Sequence, residues 1–494
     1  MSFQDHFINK LVENFSFEPT SDQKNLFEKL SEFNVSYHEC DILVINGYAG
    51  TGKTSAIGAF VRTLKSFELS YCLMAPTGRA AKVLSSHTGE KAMTIHKTIY
   101  RRRDISGRAG SFTLVPNKSK DTIFIVDEAS LIGVGGGNDP VSKGRYTSNS
   151  MFGTGDLLDD LIRYVRGGID NKLILIGDSA QLPPIGHQLS PALSIPYIKA
   201  SYGNVWFSEL AEVVRQSVDS GILFNATLVR KMIERANKLD PEHYLDNLPK
   251  PELIMRGFND IENINGGDLI EKLTDSIDKY GIEDTVVLCR SNKRANRYNG
   301  GIRSVVLYME EQLTRGDRIM VVKNCYNFDS PEEAKELDFI ANGDIAKVMS
   351  IRHYDERYGL HFADAELSFP DYNDIELSVK VILDTLTSET ASLSYEMSKA
   401  LFEGVLADYE DLPTKAKRMK AVMEDPYYNA LQIKYASAIT CHKSQGGQWS
   451  SVFIDNPFWK EETTVDDLKW LYTAMTRATQ KLYLVNFPKE IVPR

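Results

Sequence analysis

Residues 41–54 read DILVINGYAGTGKT, an apolar run from Ile42 to Ile45 that leads into Gly47, Gly52, Lys53 and Thr54. A strand that ends in a glycine-rich turn and restarts as a helix is a phosphate cradle. Gly47, Gly50 and Gly52, with Ala49 and Thr51 between them, let backbone N–H groups close around phosphate oxygens. Lys53 reaches the β- and γ-phosphates, and the Thr54 hydroxyl holds Mg²⁺. Asn46-Gly47 is also a hairpin signal, but Thr54 to Leu64 continues as a helix, as a phosphate loop requires.

A second strand, Thr122 to Val126, ends in Asp127-Glu128-Ala129-Ser130. Adjacent acids at the end of an apolar strand are costly unless they meet a cation or a reacting water. Asp127 then holds Mg²⁺ through water and Glu128 polarises the attacking water. A third strand, Lys172 to Ile176, precedes Gly177-Asp178-Ser179-Ala180-Gln181. Gln181, on the same edge of the sheet as Glu128, can orient water or sense the γ-phosphate.

The elements that must position these groups follow an α/β rhythm. Residues 1–40 look helical, and Gln23 is either an exposed glutamine in a helix capped by Thr20 or Ser21, or a reader of the adenine edge. Tyr71 to Ala75 is a strand that runs through Pro76-Thr77-Gly78-Arg79-Ala80-Ala81-Lys82 into a helix, so Pro76, Thr77 and Lys82 frame a phosphate site. His96, alone in Thr94-Ile95-His96, suits a structural histidine as readily as a ligand. Residues 97–120 read as a short basic hairpin centred on Phe112, either a solvated surface hairpin or one that touches single-stranded nucleic acid. Residues 133–155, rich in Gly, Ser and Asn, read as a mobile loop, a passive insertion or a segment that orders on substrate.

From residue 205 the pattern begins again. A helix over Glu209 to Gln216 is expected, then strands at Thr285–Cys289, Arg318–Val322, Tyr435–Ile439, Ser451–Ile454 and Leu482–Val485. This second unit has no phosphate loop, and what it supplies is arginine: Arg215, and Arg477 within Leu471-Tyr-Thr-Ala-Met-Thr-Arg-Ala478. Between Asn342-Gly343-Asp344 and Asp425 the chain turns to short strands and acidic residues, the mark of an inserted small β module with a helical tail.

The chain of 494 residues has room for about three domains. Its net charge of −10 argues against wholesale nucleic-acid binding but leaves room for a local basic groove. Five scattered cysteines without a C-x-x-C pair imply reduced thiols in a cytoplasmic protein, with no zinc or iron–sulfur site. No apolar run is long enough for a membrane span and the N-terminus lacks a leader's apolar core, so no membrane partner is expected.

Taken in order, Gln23, GYAGTGKT, APTGRAAK, TIH, DEAS, GDSAQLPPI, VVRQ, NGD, ITCHKSQG and LYTAMTRA resemble the motif set of superfamily 1 DNA helicases, in particular the RecD-like and phage Dda-like group. The resemblance implies two RecA-like α/β domains with parallel sheets: 1–204, carrying a strand-separating pin at 97–120, and 205–344 with 430–494. An SH3-like module would occupy 345–429. It implies ATP and Mg²⁺ in the cleft, with Gln23 on adenine, and Gln181, Arg215, Gln445 with Gly446, and Arg477 around the γ-phosphate. Pro76, Thr77, His96, Asn342, Gly343, Thr440, His442 and Lys443 would line a single-strand track and Phe112 the pin. The implied activity is 5′→3′ translocation on single-stranded DNA, by a monomer acting at duplex junctions with a single-strand-binding or repair protein as partner. An RNA or RNA–DNA hybrid remodeller and an ATP-gated single-strand clamp are the alternatives. The loop at 133–155 departs from the group in its length.

Overall fold

The computed structural model describes residues 3–36, 41–103, 111–134, 153–214, 219–238, 248–328 and 339–493. Its first sheet contains β1 (Ile42–Gly47), β2 (Ser70–Ala75), β3 (Ala92–Thr94), β6 (Thr122–Val126), β7 (Lys172–Gly177) and β8 (Trp206–Leu210). They lie in the order β3-β2-β6-β7-β1-β8, every neighbouring pair parallel. Both faces are covered, which is why the strands read as continuous apolar runs. Leu43, Ile45, Ile123, Ile125, Ile174 and Ile176 enter one core, and Ile42, Val44, Phe124, Val126, Leu173 and Leu175 the other. Since β1 pairs in parallel with β7 and β8, Asn46-Gly47 closes no hairpin.

The helix expected from Glu209 is instead β8, with Ser208 and Leu210 turned inward and Phe207 and Glu209 outward. Period-2 burial on an edge strand overrides the helical reading of that short run. Two strands outside the sheet, β4 (Tyr100–Arg103) and β5 (Ser111–Leu114), form the antiparallel hairpin, with Arg102 opposite Phe112.

A second parallel sheet has the order β16-β10-β17-β18-β9, built from β9 (Ile261–Ile264), β10 (Thr285–Cys289), β16 (Ala438–Thr440), β17 (Trp449–Asp455) and β18 (Ala478–Val485). Between β10 and β16 the chain makes a closed barrel of β11 (Arg318–Val321), β12 (Ile345–Arg357), β13 (Leu360–Phe369), β14 (Ile375–Ile382) and β15 (Leu431–Tyr435). The sequence pattern places Arg318–Val322 and Tyr435 in the second sheet. They pair with each other and with β12 and β14 instead, because closing a barrel requires its first and last strands to meet. Helices Tyr395–Asp408 and Lys415–Glu424 supply Leu401, Val405 and Val422 to a satellite core that also takes Leu360, Phe362 and Ile382 from the barrel strands.

No helix among the described residues is long and apolar enough to cross a membrane. Cys72, Cys289, Cys325 and Cys441 are free thiols, and burial raises the pKa of each.

Candidate nucleotide and nucleic-acid site

The P-loop leaves β1 and enters the helix Lys53–Ser66. Gly50 and Gly52 have φ of 75° and 73°, a region L-residues avoid. A Cβ on Gly52 would also lie 2.5 Å from Gln23 Nε2. Gln23 is only 1% exposed, and its amide is engaged at both ends. Its Nε2 donates to Thr51 O at 2.9 Å, and its Oε1 accepts the Thr20 N–H at 2.9 Å in a capping box. Thr20 therefore caps the helix, and Gln23 is not an exposed glutamine: it is buried, completes the Thr20 cap and grips the P-loop.

At the end of β6, Asp127 is half-buried and accepts the Glu128 N–H at 2.8 Å. Burial raises its pKa, while Lys53 draws it down and Glu128 pushes it up. Asp178 is raised by burial in the same way and drawn down by Lys53. Glu128 adopts φ 55°, a left-handed conformation costing on the order of 1 kcal/mol that non-glycine residues keep mainly where surroundings enforce it. Gln181 is buried and its Oε1 finds no protein partner. Gln181 lies on the same turn as Asp178, its N–H donating to Asp178 O at 3.2 Å, and an orphaned buried acceptor there is what a site that takes a ligand and its water looks like. Among the described residues no three His, Cys, Asp or Glu side chains form a metal cage. A magnesium ion here would thus depend on Thr54, Asp127 and the phosphates it accompanies, and the acidic excess fits it.

The second half of the molecule reaches this site through helix Val465–Met475. Tyr472 Oη accepts the Ala49 N–H at 2.9 Å and donates to Asp178 Oδ2 at 2.6 Å. Thr473 Oγ1 accepts the Leu182 N–H at 2.8 Å, Gln445 Nε2 donates to Leu182 O at 2.7 Å, and Lys469 Nζ donates to Gln188 O at 2.7 Å. Arg230, on helix Gly221–Lys238, lies 4.4 Å over the Tyr48 ring. Arg477 is buried, with its guanidinium on Thr473 O and Gly447 O at 3.2 Å. Val214 N–H donates to Gly50 O at 2.9 Å, so the chain crosses the P-loop just before Arg215, which itself lies outside the described residues.

Two placements differ from the expected ones. Gly446 lies against the start of helix Gly78–Thr88, where a Cβ would be 3.1 Å from Ala80 Cβ and 3.2 Å from Thr77 Oγ1. Gln445 grips the Asp178–Gln188 segment through Leu182 and not the P-loop.

The residues expected on the single-strand track gather beside that same helix. Thr77 caps it through the Ala80 N–H, next to Pro76. Lys82 Nζ donates to Pro370 O at 2.6 Å on the barrel, and Tyr372 brings its hydroxyl to the buried Asp344 at 3.0 Å. Lys443 donates to Asn342 Oδ1, and burial lowers its pKa to about 8. Gly343 has φ 104° with open space where a side chain would be. Thr440 starts the short helix that carries the exposed His442. His96 is half-buried, and desolvation lowers its pKa to about 4, so it is neutral.

Phe112 contradicts its expected role. It is 3% exposed, with its ring 5.1 Å from Tyr326 and 6.1 Å from Phe339, so this side chain braces the hairpin and offers no face to a strand. The hairpin tip, residues 104–110, and most of the long loop, residues 135–152, lie outside the described residues.

Sequence reasoning missed Tyr472, Asp178, Tyr48 and Arg230. The one signal for Tyr472 was a hydroxyl in an otherwise apolar helical stretch, Trp470-Leu471-Tyr472.

Residues 20–139 match the AAA domain family, and residues 435–485 match the UvrD-like helicase C-terminal domain. An uncharacterized protein of Acanthamoeba polyphaga mimivirus is 23% identical over 519 residues, 92% of this chain and 97% of that one. The ATP-dependent DNA helicase dda of Enterobacteria phage T4 is 23% identical over 495 residues, 94% of this chain and 99% of that one. The ATP-dependent RecD2 DNA helicase of Deinococcus radiodurans is 27% identical over 182 residues, 37% of this chain and 21% of that one. Among solved structures, a Bacteroides Pif1 helicase in complex with ADP-AlF3 and ssDNA aligns over 97% of this chain and 95% of that one, with 14% identity and a TM-score of 0.45.

Proposed function

We infer that this chain, a superfamily 1 helicase of the RecD-like and Dda-like group, hydrolyses ATP between its two parallel-sheet halves to move 5′→3′ along single-stranded DNA and separate duplex. The observation that carries this reading is the pairing of a phosphate cradle on one half with a buried hydroxyl, Tyr472, on a helix of the other half and a buried arginine, Arg477, in the turn that follows that helix. A cleft of that kind changes shape with the phosphate it holds.

Lys53 binds the β- and γ-phosphates, and Thr54 with Asp127 holds the magnesium ion that accompanies them. Magnesium held by Thr54 and Asp127 would supply positive charge against the negative charge that develops on the phosphates. Glu128 takes the proton of the attacking water, and Gln181 orients that water through its unpartnered oxygen. Arg477, with Arg215, stabilises charge on the transferred phosphoryl, a role worth about 10³–10⁵ in rate where such fingers act. Arg477 must leave its present carbonyl partners to do so, which ties hydrolysis to a change in the second half. The track beside Pro76, Thr77, Asn342, Gly343 and Lys443 holds the strand, and the chain acts as a monomer at single-strand–duplex junctions.

Glu128→Gln is the direct test. It keeps the volume of the side chain and removes the base, so ATP binding persists while DNA-stimulated hydrolysis falls at least about 10²-fold. Retained turnover refutes the assignment. Duplexes with a 5′ or a 3′ tail, made in DNA and in RNA, test polarity and substrate together. Unwinding of the 3′-tailed or the RNA substrate alone overturns the corresponding half of the reading.

A further inference from the structure

Tyr472 is 1% exposed, on the helix that leads to Arg477. Its ring belongs to an apolar cluster that takes Leu471, Ala474 and Met475 from its own helix and Tyr48, Ala180 and Leu182 from the other half. Packing accounts for the ring and not for the hydroxyl, because an O–H buried in such a core is tolerated only when partnered. Both partners come from the other half of the molecule. Ala49 N–H is a backbone donor of the phosphate cradle, and Asp178 ends the strand next to β1 while sharing the Lys53 charge with Asp127. Asn46 Oδ1 holds the Ser179 N–H at 2.9 Å, so the turn carrying Asp178 is anchored to the P-loop strand as well.

The Ala49 N–H can serve the tyrosine hydroxyl or a phosphate oxygen. We propose that Tyr472 is a positioning residue that reports the phosphate state of the P-loop to the second half of the molecule. Its hydroxyl bridges Ala49 and Asp178, and a nucleoside triphosphate that draws the Ala49 N–H toward its terminal phosphate frees the helix that bears Thr473 and leads to Arg477. Thr473 is the next residue and holds Leu182, so the same displacement reaches the whole Asp178–Gln188 segment. The assignment rests on the helicase reading and deepens it by naming the group through which nucleotide and strand affect one another.

The test is equilibrium binding of fluorescent ADP and of a non-hydrolysable β,γ-imido ATP analogue to the full chain, with and without a dT oligonucleotide. In the wild-type protein the oligonucleotide changes affinity for the ATP analogue by about 5-fold or more beyond its effect on ADP. In Tyr472→Phe that differential shrinks to within about 2-fold, while ADP affinity without oligonucleotide stays within about 2-fold of wild type. Asp178→Asn removes the charge and keeps an acceptor for the hydroxyl, so it loses part of the differential, and the double variant loses no more than Tyr472→Phe alone. A differential that persists in folded Tyr472→Phe overturns the assignment. So does ADP affinity that falls in step with it, which marks a purely structural role. Should Tyr472→Phe fail to fold, an unchanged differential in Asp178→Asn overturns it. A wild-type protein indifferent to the oligonucleotide overturns the helicase reading and this assignment together, whereas coupling that survives both substitutions overturns the assignment alone.

Discussion

Replacing Phe112 by alanine separates two ways in which the hairpin can matter. Its ring is enclosed by Tyr326 and Phe339, and its neighbours Ile99 and Tyr100 belong to the same apolar cluster. The strand is held from other sides too, since Gly153 N–H donates to Phe112 O at 2.9 Å and Tyr100 OH to Asp160 Oδ2 at 2.8 Å. Phe→Ala in a core costs about 3–5 kcal/mol. Two tilted or edge-on ring contacts contribute on the order of 1–3 kcal/mol of that. Because the hairpin has only two strands, the loss falls on local opening of β4 and β5 and leaves the sheets intact.

A cost of about 3 kcal/mol makes local opening roughly 10²-fold more frequent. Amide hydrogen exchange over residues 100–103 and 111–114 should accelerate by that factor, and duplex separation should decline with it. Phe112→Leu, which keeps most of the volume, should recover more than half of the protection. If exchange in the hairpin is unchanged while duplex separation is lost and strand-stimulated hydrolysis persists, Phe112 touches the duplex itself and the brace is refuted.

Two further substitutions probe other parts of the cleft. Gly52→Ala puts a Cβ against Gln23 Nε2 at a φ of 73°, and should weaken ATP binding at least about 10-fold in a fluorescent-nucleotide titration. Adding Gln23→Ala removes the clash and not the left-handed strain of about 1–2 kcal/mol, so recovery should be partial, and full recovery refutes the strain argument. Asp344 is buried among Tyr372, Asp371 and the Ala341 N–H, and desolvation raises its pKa to about 7. The folded state then keeps a proton that the unfolded chain releases near pH 4, so the stabilisation present below about pH 4 is lost as pH rises through about 7. Asp344→Asn should flatten the fall in barrel stability between pH 5 and pH 8 measured by urea unfolding, and an unchanged slope refutes the assignment.

What could be read in advance was chemistry that a short run must carry by itself. A phosphate loop needs glycines, a lysine and a hydroxyl within a few residues, and an acid pair needs its strand, so Gly47 to Thr54 and Asp127-Glu128 were legible. What could not be read depends on pairing between distant segments. RIMV at 318–321 and LQIKY at 431–435 are fully buried runs, and such runs look alike whether they close a barrel or widen a parallel sheet. Phe112 among arginines has the composition of an exposed wedge, and only residues far along the chain, Tyr326 and Phe339, turn it inward. Tyr472 was hidden for the same reason, because its partners Ala49 and Asp178 lie hundreds of residues away.

Those distant contacts have a magnitude suited to a motor. Among the described residues, the bonds that helix Val465–Met475 and Gln445 make across the cleft include Tyr472 with Ala49, Tyr472 with Asp178, Thr473 with Leu182, Gln445 with Leu182, and Lys469 with Gln188. At about 0.5–1.5 kcal/mol each they sum to roughly 2–8 kcal/mol. Moving a two-state equilibrium from 1:99 to 99:1 takes about 5.5 kcal/mol. Losing one or two of these bonds to a phosphate costs about 0.5–3 kcal/mol, on the order of the 1–3 kcal/mol by which two coupled sites affect one another. All of these but the Tyr472–Ala49 bond converge on the segment from Asp178 to Gln188, so that segment, together with the P-loop that Tyr472 and Val214 touch, is where phosphate chemistry can become movement of one half against the other.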